Sequence, residues 1–276
     1  MRRVDALVPQ ENGHQFVLYG DCCSGIPGGP FERNFAHVNG ALQQLDPPPD
    51  FILFLGDHVD GAGCDEDSLR EQWHHWLTKE MAWLDSSRIP IYHLASNHNT
   101  FDLVSEAVWR ETFPDIPRNG PSGQEGLSYW VRRGDLLLVI VNTSFSGLGG
   151  DGHVECAWLD ATLSAHADAR HKIVAGHHPI FPVNGYDERP GWCIVQERRR
   201  RFGRSWSAIG CWRIPVRTSS RLICRNTKAS FRSAPAERGQ TTVPAASWAK
   251  ENTIILCRLP WMSMNSGCRR LILKDK

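Results

Sequence analysis

No apolar run in the 276-residue sequence approaches the roughly 20 residues that a bilayer-spanning helix needs. The basic start, Met1-Arg2-Arg3-Val4-Asp5, is followed by no apolar segment of signal-peptide type before Glu11. From these two absences we expect a cytoplasmic chain with no membrane partner. Its nine cysteines include no C-x-x-C pair, so neither a zinc ribbon nor a thioredoxin-type motif is indicated, and reduced thiols are the default without a secretory signal. There is no internal repeat. No histidine follows His178, and acidic residues become scarce after residue 190.

Hydrophobic residues make up 41% of the chain and charged residues 22%, which is a soluble globular composition. The length suits one α/β domain, or a domain plus an appendage, and allows a sizeable core. The net charge of +1 hides a split: residues 1–190 carry 26 acids and 13 bases, whereas residues 191–276 carry 4 and 18. A basic segment of this kind can bind nucleic acid, or it can mark a stretch of different origin.

Short apolar runs alternate with amphipathic stretches through the first 180 or so residues. Phe16–Tyr19, Phe51–Leu55, Ile89–Ala95, Tyr129–Val131, Leu136–Val141 and Lys172–Ala175 read as strands, with a turn at Arg133-Gly134-Asp135. Phe35–Leu45, Ser68–Leu84, Leu103–Phe113 and Glu155–His166 carry apolar residues at spacings of three and four and read as helices. Strand–helix–strand order implies βαβ units around a buried sheet. The Gly/Pro-rich segment Asn119–Gly126 reads as a surface loop near the site. Beyond residue 190 only Thr253–Leu259 and Arg270–Leu273 resemble strands.

Polar residues stand just past four strand ends: Gly20-Asp21-Cys22-Cys23, Gly56-Asp57-His58-Val59-Asp60, Ser96-Asn97-His98-Asn99 and Gly176-His177-His178-Pro179. Open α/β sheets bind ligands beyond the carboxyl ends of their strands. A carboxylate, a second carboxylate, an amide and an imidazole delivered there form a mixed O/N donor set. Such a set favours Mn, Fe, Zn or Co over Ca, and two such ions can clamp the attacking and leaving oxygens of a phosphoryl group. Asp57 fits the bridging position. His98, beside a ligand, can protonate a leaving alkoxide. Asp60 reads as a group that orients others rather than a ligand, and His178 as a substrate contact. Singly, Asp21 could be a helix cap and Asp57 or Asn97 a turn residue; their joint order favours a functional cluster.

These loops resemble the calcineurin-like metallophosphoesterase superfamily, which includes the purple acid phosphatases. The resemblance runs from Asp21 to Pro179, and Gly56-Asp57-x-x-Asp60 with Asn97-His98 carries it most specifically. It implies a four-layer α/β/β/α sandwich, two divalent cations, and attack of a metal-activated water on a phosphate ester. It also implies that Asp21 and Asp57 bind the first metal, and Asp57, Asn97 and His177 the second. The family's first motif is usually Asp-x-His, and Cys23 stands where that histidine would be; a thiolate there can bind zinc or iron. Asp60 occupies the place of the tyrosine of the purple-acid branch, so that branch is not indicated. Asn99 replaces an acid. The closing Gly-His-x-His is absent, which leaves two ligand positions without a histidine and the fold incomplete at that end.

We therefore divide the chain into a metallophosphoesterase domain, 1–190, and an aberrant basic Arg/Ser/Cys/Trp-rich region, 191–276, expected to be poorly ordered. Out-of-frame translation of a GC-rich gene tends to give that composition. Pro215 to Arg221 is encodable as CCT GTT CGC ACA TCA TCG CGC, and from its third base the same string reads Cys-Ser-His-Ile-Ile-Ala. A frameshift from about residue 198 accounts for the missing motif; thiols such as Cys211 or Cys224 are alternative ligand sources. The competing function is a non-catalytic phosphate or nucleic-acid binder, in which Arg198–Arg201 contact backbone and Trp206, Trp212 and Trp248 stack on bases. The expected partner under the leading reading is a phosphorylated substrate whose class the sequence leaves open.

Overall fold

The computed structural model describes residues 13–178, 221–225, 253–260 and 268–272. Its first half alternates β1 (Gly13–Tyr19), α1 (Glu32–Leu42), β2 (Phe51–Phe54), α2 (Glu66–His75), β3 (Ile91–His93) and α3 (Leu103–Thr112). Then follow β4 (Tyr129–Arg133), β5 (Leu136–Ile140), α4 (Cys156–Ala165) and β6 (His171–Gly176). Beyond these, β7 (Arg221–Arg225), β8 (Thr253–Pro260) and β9 (Cys268–Ile272) are described by their backbone pairing. Helix starts follow local chemistry. The Asp65 carboxylate accepts from Ser68 N at α2, and Asp102 forms a reciprocal capping box with Ser105 at α3.

The strands form two sheets, ordered β3-β2-β1-β8-β9 and β4-β5-β6-β7. β1, β2 and β3 are mutually parallel, as the βαβ reading requires, and β5 is parallel to β6. β8 and β9 extend the first sheet antiparallel, and β7 extends the second. Pairing therefore crosses the boundary placed at residue 190. The remainder of the basic region, including Arg198–Arg201, Trp206, Trp212 and Trp248, lies outside the described residues.

Period-two alternation explains the core. Phe16, Leu18, Phe51 and Leu53 share a cluster with Leu136, Leu138, Ile140, Ile173 and Ala175, so one face of each sheet meets the other sheet. The opposite residues, Val17, Tyr19, Ile52 and Phe54, pack against Phe35, Val38, Trp73, Val108 and Trp109 of α1, α2 and α3. On the second sheet Leu137, Val139 and Val141 pack against Leu159, Leu163 and their neighbours near α4.

Two local expectations change. The helix expected over Ser68–Leu84 gives way after His75 to a π-helical turn, Trp76–Glu80, and β3 is shorter than Ile89–Ala95. The Asn119–Gly126 loop is held by hydrogen bonds to Arg110 of α3 and Trp130 of β4. Among the described residues, no helix is long and apolar enough to cross a membrane.

Candidate metal centre

The first two polar loops are tied backbone to backbone. Asp21 N donates to Gly56 O, Cys23 N to Asp57 O and Ser24 N to His58 O, at 3.0, 2.8 and 3.0 Å. This pairing continues the parallel register of β1 and β2 past their ends. Asp21, Cys23 and Asp57 all take positive φ, at 55°, 41° and 51°, a region that non-glycine residues seldom enter and that clusters at functional sites. Gly56, at φ 98°, has no substitute: a Cβ there would lie 2.7 Å from both His177 Nδ1 and Ser96 Cβ. Ser96 Oγ accepts from Asp57 N at 2.8 Å, so the third loop fixes the second.

His177 is the point of convergence. Its Nδ1 donates to Leu55 O at 2.9 Å, which turns Nε2 to the polar loops. Nε2 faces Asn97 Oδ1 at 2.8 Å and Asp57 Oδ1 at 3.4 Å, while Asp21 Oδ1 stands 3.8 Å from Nδ1. Asp21, Asp57 and Asn97 thus all stand within 4 Å of the His177 ring. Asp57 Oδ1 is buried and makes no hydrogen bond among the described residues. Burial alone would push the His177 imidazolium down, but the Asp57 and Asp21 carboxylates outweigh it and hold the imidazole above its ordinary value. A ring nitrogen facing two oxygens, one of them on a buried carboxylate, marks a place that positive charge fits.

The ligand-type groups number three among the described residues: Asp21–Asp57–His177, Cys23–Asp57–His98 and Glu32–His75–Glu80, each with its donor atoms within 4.8 Å of one another. The first two share Asp57. Asp21 keeps company with His177 here, a different partition from the one the resemblance implied. The third group braces the first loop from outside, where Glu80 accepts from Ser24 Oγ and Gly25 N and Glu32 from the His75 ring.

The sequence model of the calcineurin-like phosphoesterase family matches residues 14–203, more than half the chain. The chain belongs to that family. No curated protein matches it. As a calcineurin-like phosphoesterase it comes from a family that generally works with two divalent metals, which the two groups sharing Asp57 can accommodate.

The remaining residues of this phosphoesterase divide into those at the site and those turned from it. His98 donates from Nδ1 to Asp60 O at 2.5 Å, so Asp60 orients it through the main chain while its own side chain is exposed. The half-buried Cys23 thiol is pushed up, first by desolvation and then by Asp57. His178 is buried against Thr143, whose Oγ1 lies 2.8 Å from Nδ1, with Asp151 Oδ1 3.7 Å from Nε2. Asp151 lies in a glycine-rich loop, where the ring of His153 bonds Gly150 O. The place of Asp151 beside His178, with its carboxyl pushed up by burial, has no signal in strand-end periodicity. His58, next to Asp57 in sequence, points into the core: it stacks on Phe54 at 4.1 Å between ring centroids and bonds His93.

Proposed function

We propose that this chain hydrolyses phosphate esters at a pair of divalent cations held by Asp21, Asp57, Asn97 and His177, within a four-layer α/β/β/α domain. The observation that supports it most is the convergence of Asn97 Oδ1 and the buried Asp57 Oδ1 on His177 Nε2, at 2.8 and 3.4 Å. Two divalent ions, when bound, polarise a phosphoryl oxygen and acidify a water towards neutrality. The protein's own tasks are geometric. Asp57, in strained backbone, sits between both donor groups. Leu55 O orients the His177 ring. Asp60 O fixes His98, whose remaining nitrogen carries a proton to the leaving oxygen. His178, steadied by Thr143, contacts the ester.

With two family ligand positions lacking histidine, the cations bind more weakly than a full donor set would hold them, and activity is correspondingly impaired. We attribute the missing motif to a reading-frame change near residue 198. A nucleotide sequence whose alternative frames carry no histidine in an apolar pattern would remove that explanation. The functional test is hydrolysis of an aryl phosphate after loading with Mn, Fe, Zn or Co. Expected is turnover abolished by a chelator and by Asp57→Asn; blank assays with every one of these metals would overturn the catalytic reading.

A further inference from the structure

The sequence offers a cysteine where an imidazole is usual, and the fold treats it in a particular way. Cys22 and Cys23 are adjacent but point to different places. Cys22 Sγ donates to His58 O at 2.9 Å and packs against the aromatic cluster under the first sheet. Cys23, at φ 41°, turns the other way, and its Sγ lies within 4.8 Å of an Asp57 oxygen and a His98 nitrogen. The backbone is pinned there by Cys23 N donating to Asp57 O at 2.8 Å. A buried structural thiol needs neither a left-handed backbone nor two ligand-type neighbours. The same group holds a buried carboxylate: the Asp57 side chain is only 10% exposed, and its Oδ1, 3.4 Å from His177 Nε2, makes no hydrogen bond among the described residues.

We propose that Cys23 is a thiolate ligand of the cation bridged by Asp57 on the His98 side, and that this position selects a thiophilic ion, Zn²⁺, Co²⁺ or Fe²⁺, over Mn²⁺ and Mg²⁺. The proposal rests on the metallophosphoesterase reading and makes its first cation position specific. Soft thiolate donors select zinc and iron, whereas carboxylate, carbonyl and water suit Mg and Mn. Binding exchanges the thiol proton for the metal: an S–metal bond forms, S–H breaks and the proton leaves to solvent. The other group, Asp21–Asp57–His177, contains only oxygen and nitrogen donors, so the two positions differ in taste. His98 stands beside the thiolate-bound ion, close enough to serve the leaving oxygen.

The test is titration of the full chain with Co²⁺, which reports sulfur ligation through a thiolate-to-cobalt charge-transfer band and overall binding through its ligand-field bands. Expected is a charge-transfer band in the native protein, lost in Cys23→Ser and Cys23→His and kept in Cys22→Ala. Ligand-field absorption from the second position should persist in every case. Zinc affinity should fall in Cys23→Ser by more than the roughly 10–100-fold typical of losing an outer partner, while Mn²⁺ affinity changes little. Far-UV circular dichroism identifies any variant that fails to fold, and Cys23→His, which keeps a donor at the position, then carries the comparison. A charge-transfer band that survives in folded Cys23→Ser or Cys23→His overturns the proposal, because another thiol supplies it. Ligand-field bands without a charge-transfer band in the native protein overturn the thiolate assignment and leave the phosphoesterase reading standing. Absence of both kinds of band overturns the thiolate assignment together with the metal centre.

Discussion

Asn99 shows how one side chain sets the chemistry around the site. Its Oδ1 accepts from His58 N at 2.8 Å and lies 3.0 Å from His58 Nδ1, while its amide donates to Val59 O at 3.0 Å. His58 Nδ1 is therefore the protonated nitrogen, and its Nε2 accepts from His93 Nδ1. Both rings are neutral, since burial pushes His58 well down and His93 to about 3. Asn99→Ala would strand buried donors, and we expect a loss of about 1–3 kcal/mol in chemical denaturation. The same rings set a pH dependence. Unfolded imidazoles titrate near about 6.5, above the folded values, so the unfolded chain binds more protons on the acid side. Stability from His58 and His93 is present above about pH 6.5 and is lost as pH falls from there. His177 runs oppositely in chelated protein: its raised folded value gives a contribution present below about pH 6.5 and lost as pH rises through that value. Urea midpoints in chelator should therefore fall from pH 6.5 to pH 5, with a smaller fall in His93→Asn; equal falls in the two proteins would contradict the assignment. Residue types past strand ends were legible in the sequence, because chemistry limits which groups bind cations. The inward turn of His58 was not, because an imidazole suits an aromatic cluster and a polar rim equally well.

At the scale of elements, the site depends on strand-end loops that approach one another closely only because a glycine leaves room between them. Gly56 combines φ 98° with a Cβ position 2.7 Å from His177 Nδ1. Gly56→Ala should cost about 1–3 kcal/mol from backbone strain alone and displace His177, lowering cobalt uptake measured by absorption. Gly134, at φ 57° with open space around its Cβ position, is the control: Gly134→Asn should leave cobalt uptake unchanged. Most elements could be read beforehand, since buried strands such as Leu136–Ile140 are unbroken apolar runs and α3 announces its start with Asp102 and Ser105. The π-helical turn at Trp76–Glu80 could not, because the apolar spacing of a helix continues through it. β7 was missed as well. Its Arg-Leu-Ile-Cys-Arg sequence is short and flanked by charge, and only its pairing with β6 makes it a strand.

At the scale of the whole molecule, the first sheet is closed by residues from far along the chain. β1 lies between β2 and β8, with Gly13 opposite Pro260 and Leu18 opposite Ile255. Removing residues from 253 onward would leave β1 paired with β2 alone, as an open edge of a shortened sheet, and such edges template aggregation. We expect the truncated chain to partition into the insoluble fraction, while one shortened only after residue 272 stays soluble. Cation loading acts at this scale too. A site saturated at about 100 times its dissociation constant adds about 2.7 kcal/mol, so a chelator should lower the melting temperature of the native protein and not that of Asp57→Asn. The late arrival of β8 also bears on synthesis. At roughly 5–20 residues per second, β1 emerges from the ribosome roughly 10–50 s before its antiparallel partner exists. During that interval the newborn chain displays a ready docking edge, and a holding chaperone becomes a practical requirement for expressing it.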